Sequence, residues 1–428
     1  MKRVLLAGVL LLVAGAPATY AADIEADIEH AISRQLDAIV EIRHQLHVNP
    51  ELGNQEHETA ALVAAHLEEL GFDVETGVAV TGVVGVLKGG RPGPVVAVRV
   101  DMDALPVTED TDLPFKSTKR TTFQGKEVGV AHACGHDIHT SVGLGVASVL
   151  ADVRADLPGT VKFIFQPAEE GLPFPDVGGA QVMLEEGALR DPAPEAIFGL
   201  HSQPALEVGQ VGFKNGPALA AVDHFLITIR GTQAHGAWPH QSADPIVMAS
   251  QAVVALQTIV SRNVRPLDPA VVTVGIFRGG ERFNIIPGEV RLEGTVRTYG
   301  AEVQELVRTR MEEILAGITQ AGGGSYEMEY RTNAPATIND LELGERMRPT
   351  LQRAVAEGDL VSVEAVMGGE DFSFFSNEIP GFYFWLGVRE PGKTSGGLHT
   401  PTMRAGDGAV EVGMRAMTGL VVDYLSGR

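Results

Sequence analysis

The sequence predicts an α/β fold: a mixed sheet flanked by helices, interrupted by an inserted, smaller α+β domain. Three observations carry this prediction. Helical periodicities alternate with strand-like apolar runs through the first half of the chain and again over its last ninety residues. Some of those runs, such as 94–100, are almost wholly apolar, as expected of parallel strands buried on both faces. Between 222 and 335 the order becomes strand, helix, two strands, helix, strand, the βαββαβ order of a ferredoxin-like domain.

At 428 residues the chain is too long for one compact core and long enough for two domains. The sequence divides as 1–22, an export signal removed on maturation, 23–216 and 336–428, two parts of one larger domain, and 217–335, the insert. The signal reading rests on Lys2 and Arg3, the apolar run 4–16 and the small residues Ala21 and Ala22. That run is short for a membrane span, and no later stretch is long and apolar enough to cross a bilayer. A net charge of −22 argues against nucleic acid and anionic membrane as partners. With a single cysteine there is no internal disulfide.

Taken in order, Ile24, Ile28, Ile32, Leu36, Ile39, Ile42 and Leu46 recur at near-helical spacing, predicting a helix over 23–47. A second helix is expected over 56–70, with Gly71 beyond its end. Strands are expected at 83–87 and 94–100, the latter ending in Asp101-Met102-Asp103. A helix is predicted over 140–157, with Asp137 capping it. The strand 159–166 runs into Pro167-Ala168-Glu169-Glu170, and the strand 196–200 ends in His201. In the insert, strands are expected at 223–229, 270–278, 289–297 and 325–332, and helices at 245–262 and 301–322. A helix over 341–356, an aromatic strand at 381–387 and a helix over 408–425 complete the chain.

The chemistry centres on His132-Ala133-Cys134-Gly135-His136-Asp137. Cys134 and His136 at i and i+2 share a face of an extended segment, and a thiolate beside an imidazole is a metal-ligand pair. Alone, the motif reads as well as a buried thiol with nearby histidines. Strand ends elsewhere add Asp101 and Asp103, Glu169 and Glu170, and His201. Each has a bland reading, Glu169-Glu170 as a solvated acidic turn for example, yet three strands delivering such residues at one end favour a metal site. Adjacent glutamates can divide the work, one holding metal and the other moving a proton.

As an ordered set, these motifs resemble the bacterial N-acyl amino acid amidohydrolases. That group includes hippurate hydrolase and the indole-acetyl-amino-acid hydrolases, within the co-catalytic metallopeptidases related to aminoacylase and glutamate carboxypeptidase. Gly199-Leu200-His201, His235 with Pro239-His240, Asn284-Ile285-Ile286-Pro287, Glu370-Asp371-Phe372 and Leu398-His399-Thr400-Pro401 extend the match over the mature chain. The resemblance implies a two-domain metallopeptidase with the insert as lid. Two divalent cations would be bridged by Cys134, one completed by His136 and His201, the other by Glu170 and His399. Zinc suits these ligands first, and manganese, cobalt or nickel also fit.

Glu169 would be the general base and His235 the oxyanion donor. Asp103, and with it Asp137, would orient ligands from behind. Asn284 and Arg297 would hold the substrate; Glu370 is a further candidate there, though it and Asp371 read equally well as structural. His132 and His139 read as supporting rather than ligating, and Trp238 and Trp385 as packing residues. The implied substrate is a small N-acyl amino acid, and the implied assembly a homodimer through the lid. A dipeptidase or carboxypeptidase on the same site is the alternative, and an exported two-lobed solute-binding protein is the rival from another class. One departure stands out: residues 172–177, with Pro173, Phe174 and Pro175, intervene after Gly171 and adjoin the expected acyl pocket.

Overall fold

The computed structural model describes residues 18–172 and 178–428, with side chains from Ile24 onward. Residues 1–17, which hold the basic and apolar parts of the expected export signal, and 173–177, which hold Phe174 and both prolines, lie outside the described residues. Among the described residues no helix is long and apolar enough to cross a membrane.

An eight-stranded mixed sheet forms the larger domain. Its order is Asp73–Val78, Gly82–Lys88, Pro158–Gln166, Arg91–Asp101, Ala196–Glu207, Gly381–Arg389, Val211–Phe213, Leu360–Ser362. The four middle strands, 158–166, 91–101, 196–207 and 381–389, run parallel. Their near-continuous apolar sequences follow from burial on both faces. Val96, Val98, Val100, Phe163, Phe165, Phe198, Phe382 and Phe384 point into the main core. The helices Ala18–Val48, His57–Glu69, His136–Asp152, Leu341–Ala354 and Gly408–Leu425 close that core from one side. The alternate residues Ala97, Ile164, Ile197, Tyr383 and Trp385 form a second core under the short helix Gly179–Glu186.

The insert has its own core. Its four-stranded antiparallel sheet, ordered 270–279, 289–298, 221–230, 325–334, is covered by the helices Pro245–Thr258 and Ala301–Gly322. That strand order is the ferredoxin-like one the sequence predicts. Entry and exit are tied together, since Gly216–Leu219 pairs antiparallel with Thr337–Asn339.

Several expectations need correction. The helix after the Cys134 motif begins at His136 rather than 140, and its cap is Gly135 at φ 86°, with no side-chain capping bond. Asp137 therefore lies inside the first turn and caps nothing. His201 does not end its strand, which continues to Glu207. The helix expected over 245–262 finishes as a π turn, Ile259–Asn263. One edge strand of the sheet, Asp73–Val78, escapes sequence reading because its side chains are largely exposed and present no apolar alternation.

Candidate metal centre

The carboxyl ends of the parallel strands open onto one cluster. Cys134, 4% exposed, sits in the loop entering the helix His136–Asp152. Its Sγ lies 3.3 Å from His201 Nε2 and 3.2 Å from His399 Nε2. Donor atoms of Cys134, His136 and His201 fall within 4.8 Å of one another, as do those of Cys134, Glu170 and His399. Cys134 belongs to both triads, so the residues that the resemblance implies as ligands are brought together here. Glu169 and Glu170 close the gap to His136 in a third such group.

The donor set fits cations. His136 Nδ1–H donates to Asp103 Oδ1 at 3.2 Å, which leaves Nε2, on deprotonation, as the lone pair offered to a cation. That buried nitrogen has no hydrogen-bond partner among the described residues. His201 Nδ1–H donates to the carbonyl of Ser202 at 2.7 Å, so its Nε2 also presents a lone pair to the thiol. The second oxygen of Asp103 accepts the Glu170 amide at 3.1 Å, so one carboxylate holds a member of each triad. His399 stands on a left-handed backbone, φ 62°, and its amide donates to the Ala133 carbonyl at 2.8 Å.

The electrostatics agree. Burial, then Glu170 and Glu169, push the Cys134 thiol well above its usual range. His136 is driven up to about 10: burial works against its charge, but Asp101 and Asp103 outweigh burial, so without a cation Nε2 holds a proton that a bound metal would displace. Such a concentration of negative groups around a thiol is what dications neutralise.

Beneath the cluster lies a buried ion network. Arg99 Nη2 reaches Asp371 at 2.7 Å and Glu370 at 2.8 Å, Nε donates to Gln166 at 2.8 Å, and Nη1 pairs with Asp101. Asp101 in turn accepts from His139 Nδ1. Glu169, with Oε2 3.8 Å from His136 Nε2, stands over this network. Burial, then Glu370, Glu170 and Asp371, push its pKa well up, the direction that suits a carboxylate taking a proton.

Residues 97–423 match the model of peptidase family M20/M25/M40. The chain belongs to this family. An N-acetylcysteine deacetylase of Bacillus subtilis is 40% identical over 82% of this chain and 88% of its own length. An IAA-amino acid hydrolase, ILR1-like 2, of Arabidopsis thaliana is 37% identical over 91% of this chain and 85% of its own. The crystal structure of the Bacillus subtilis YXEP protein, described as a dinuclear metal binding peptidase from the M20 family, superposes with a TM-score of 0.76. It is 35% identical, covering 93% of this chain and 99% of that one. The chain is thus an M20 hydrolase of amide bonds with a centre for two divalent metals.

The other expected site residues are scattered within this M20 fold. His235 lies in the exposed strand Ala234–His235, paired with Ile285–Ile286. Its Nδ1 accepts the Ala237 amide at 3.0 Å, so Nε2 carries the proton. Its ring neighbour is Trp238, at 5.0 Å, not the metal cluster. The Asn284 carbonyl accepts the Gly236 amide at 2.8 Å, and its buried side-chain Oδ1 has no partner among the described residues. Arg297 is half-buried, its Nε donating to Thr295 at 3.1 Å; burial lowers its pKa and Asp223 opposes that.

Glu370 departs from the substrate-binding expectation. It is 2% exposed, and its oxygens are occupied by Arg99, Tyr383 and the Phe372 amide, so it braces the floor. Asp137 departs too. Its carboxylate faces Arg43 at 3.0 Å and His47 at 2.9 Å and touches no ligand. Arg43, His47 and Arg99 are among the residues that sequence reasoning passes over. For Arg99 a signal existed: one arginine inside the apolar run Val95-Val96-Ala97-Val98-Arg99-Val100 needs a buried counter-charge.

Proposed function

We propose that this M20 enzyme is an N-acyl amino acid amidohydrolase that releases a carboxylic acid and a free amino acid. The observation that carries this reading is the pair of donor triads sharing Cys134, with the Glu169 carboxylate beside His136. Two relatives, an N-acetylcysteine deacetylase and an IAA-amino acid hydrolase, support it. Divalent cations, when bound, lower the pKa of water and polarise an amide carbonyl. His136 and His201 would hold one, Glu170 and His399 the other, with Cys134 between them; zinc suits a thiolate and imidazole set.

Glu169 takes the proton of the attacking water and returns it to the nitrogen of the leaving amine. His235 Nε2–H, on the insert, donates to the developing oxyanion once the lid closes over the sheet. Arg297 supplies the forked donor that matches the substrate carboxylate, with Asn284 beside it. Large apolar side chains exposed on the insert, among them Val254, Leu267 and Phe283, support a homodimer through the lid. The basic and apolar start of the sequence supports export.

The test runs N-acetyl, N-benzoyl and dipeptide substrates in parallel on metal-loaded protein, with Cys134→Ala as control. Faster turnover of N-acyl amino acids is expected. Preference for dipeptides would make the chain a peptidase on the same centre, and binding without turnover would make it a solute-binding protein. Glu169→Gln is expected to lower kcat by roughly 10²- to 10⁴-fold while the metals stay bound.

A further inference from the structure

Ala168 immediately precedes Glu169 and has φ 50°, a conformation that a residue with a Cβ adopts at a cost. It is buried, and its surroundings are built for that shape. A Cβ on Gly53 would lie 3.0 Å from the Ala168 Cβ, and one on Gly178 would lie 3.3 Å from it. The Ala168 carbonyl accepts the Gly171 amide at 3.3 Å, closing a tight turn with Glu169 and Glu170 at its tip. Folding this turn against the protein buries the Ala168 N–H, which then needs an acceptor.

The acceptor comes from more than a hundred residues away. Glu56 Oε1 accepts the Ala168 amide at 2.9 Å. The other oxygen, Oε2, accepts the Thr81 hydroxyl at 2.6 Å, and the Glu56 residue is fully buried. The same short segment also reaches the other side of the site. The Glu51 carbonyl accepts the Ala104 amide at 2.7 Å, next to Asp103, and Leu52 bridges to Ala104. The Glu51 carboxylate meanwhile accepts the Thr59 amide at 2.9 Å and so fixes the start of the helix His57–Glu69. Residues 51–56 therefore stand between the loops that carry Asp103 and Glu169 and hold both from below.

We propose that Glu56 is a positioning residue for the general base, its buried carboxylate holding the Ala168 amide and so fixing the left-handed turn that aims Glu169. The proposal rests on the reading of Glu169 as that base. Without the acceptor, Ala168 relaxes toward an ordinary φ, the peptide plane turns, and Glu169 swings off line. Glu170 keeps its own tie to Asp103, so the cations are retained.

The experiment compares Glu56→Ala, Glu56→Gln and Glu169→Gln in the full-length, metal-loaded protein, reading kcat, KM and metal content on an N-acetyl amino acid. Glu56→Ala is expected to lower kcat by roughly tenfold or more, as misplacement of a reacting group does, with KM and metal content unchanged. Glu56→Gln keeps an acceptor oxygen for Ala168 and a polar partner for Thr81, and is expected to restore most of kcat. If Glu56→Ala does not fold, Glu56→Asp, drawn back by one methylene, takes its place with the same expectation.

Unchanged kcat in Glu56→Ala, an equal loss in Glu56→Gln, or loss of metal in step with activity would each overturn the positioning role. Full turnover in Glu169→Gln would instead remove the base reading. The clamp itself is then judged by hydrogen exchange of the Ala168 amide, slow in the parent; equally slow exchange in Glu56→Ala would overturn it.

Discussion

His47 gives the protein a stability that alkali removes. The residue is 5% exposed, with Nδ1 2.9 Å from Asp137 and Nε2 3.2 Å from Glu109. Both ring nitrogens face carboxylates, so both carry protons and the ring is an imidazolium. Burial opposes that charge, but Asp137 and Glu109 outweigh it and push the pKa from 6.5 up to about 9. In the unfolded chain the proton leaves near 6.5, so the native state binds more protons between these values. Stability is fully present below pH 6.5 and falls as pH rises, until the folded form has also titrated near 9. At about 1.4 kcal/mol per pKa unit, the loss attributable to His47 is about 3 kcal/mol. The assay is urea unfolding of the parent and of His47→Gln at pH 6 and pH 10. Every other titrating group is common to both chains, so the difference between their pH-dependent losses isolates this one. Equal losses in the two proteins would refute the reasoning.

Other outcomes follow from the same geometry. Arg99→Met strands Asp101, Glu370 and Asp371 without their guanidinium and should cost about 3–5 kcal/mol, read from thermal unfolding; a change below about 1 kcal/mol would contradict it. Gly135→Ala places a Cβ 2.7 Å from Ser202 Oγ, beside His201, on a backbone at φ 86°. It should weaken metal binding roughly tenfold in a chelator competition, since ligand orientation is disturbed. His399→Ala should leave close to one cation per chain, because its triad alone is broken, whereas Cys134→Ala should lose affinity at both positions; elemental analysis reads the two stoichiometries.

Much of this was legible in the sequence because local patterns carry it. The helices Ala301–Gly322 and Gly408–Leu425 have the bounds that their periodicity and flanking glycines set. The two donor triads were legible only through the family resemblance, since no local rule brings His399 to Cys134. What stayed hidden is pairing between distant charges. Asp137 reads as a helix cap because aspartate near a helix start usually is one, yet Arg43 and His47, some ninety residues earlier, claim its carboxylate. Glu370 reads as a substrate-binding candidate or a structural residue alike, until Arg99 and Tyr383 close on it. Such pairings depend on tertiary placement, which periodicity does not encode.

The strand Gly381–Arg389 lies beside Ala196–Glu207 near the middle of the large sheet, with Trp385 opposite His201. A ribosome reaches this piece only after some nine-tenths of the polypeptide has been made. Until then the neighbouring strand Ala196–Glu207 lacks its partner on that side, and His399, a member of one donor triad, has not been made. The insert, with its separate core, can be complete long before. Synthesis therefore completes the insert's core before the middle of the large sheet, and a chain stopped ahead of Gly381 lacks both that strand and His399.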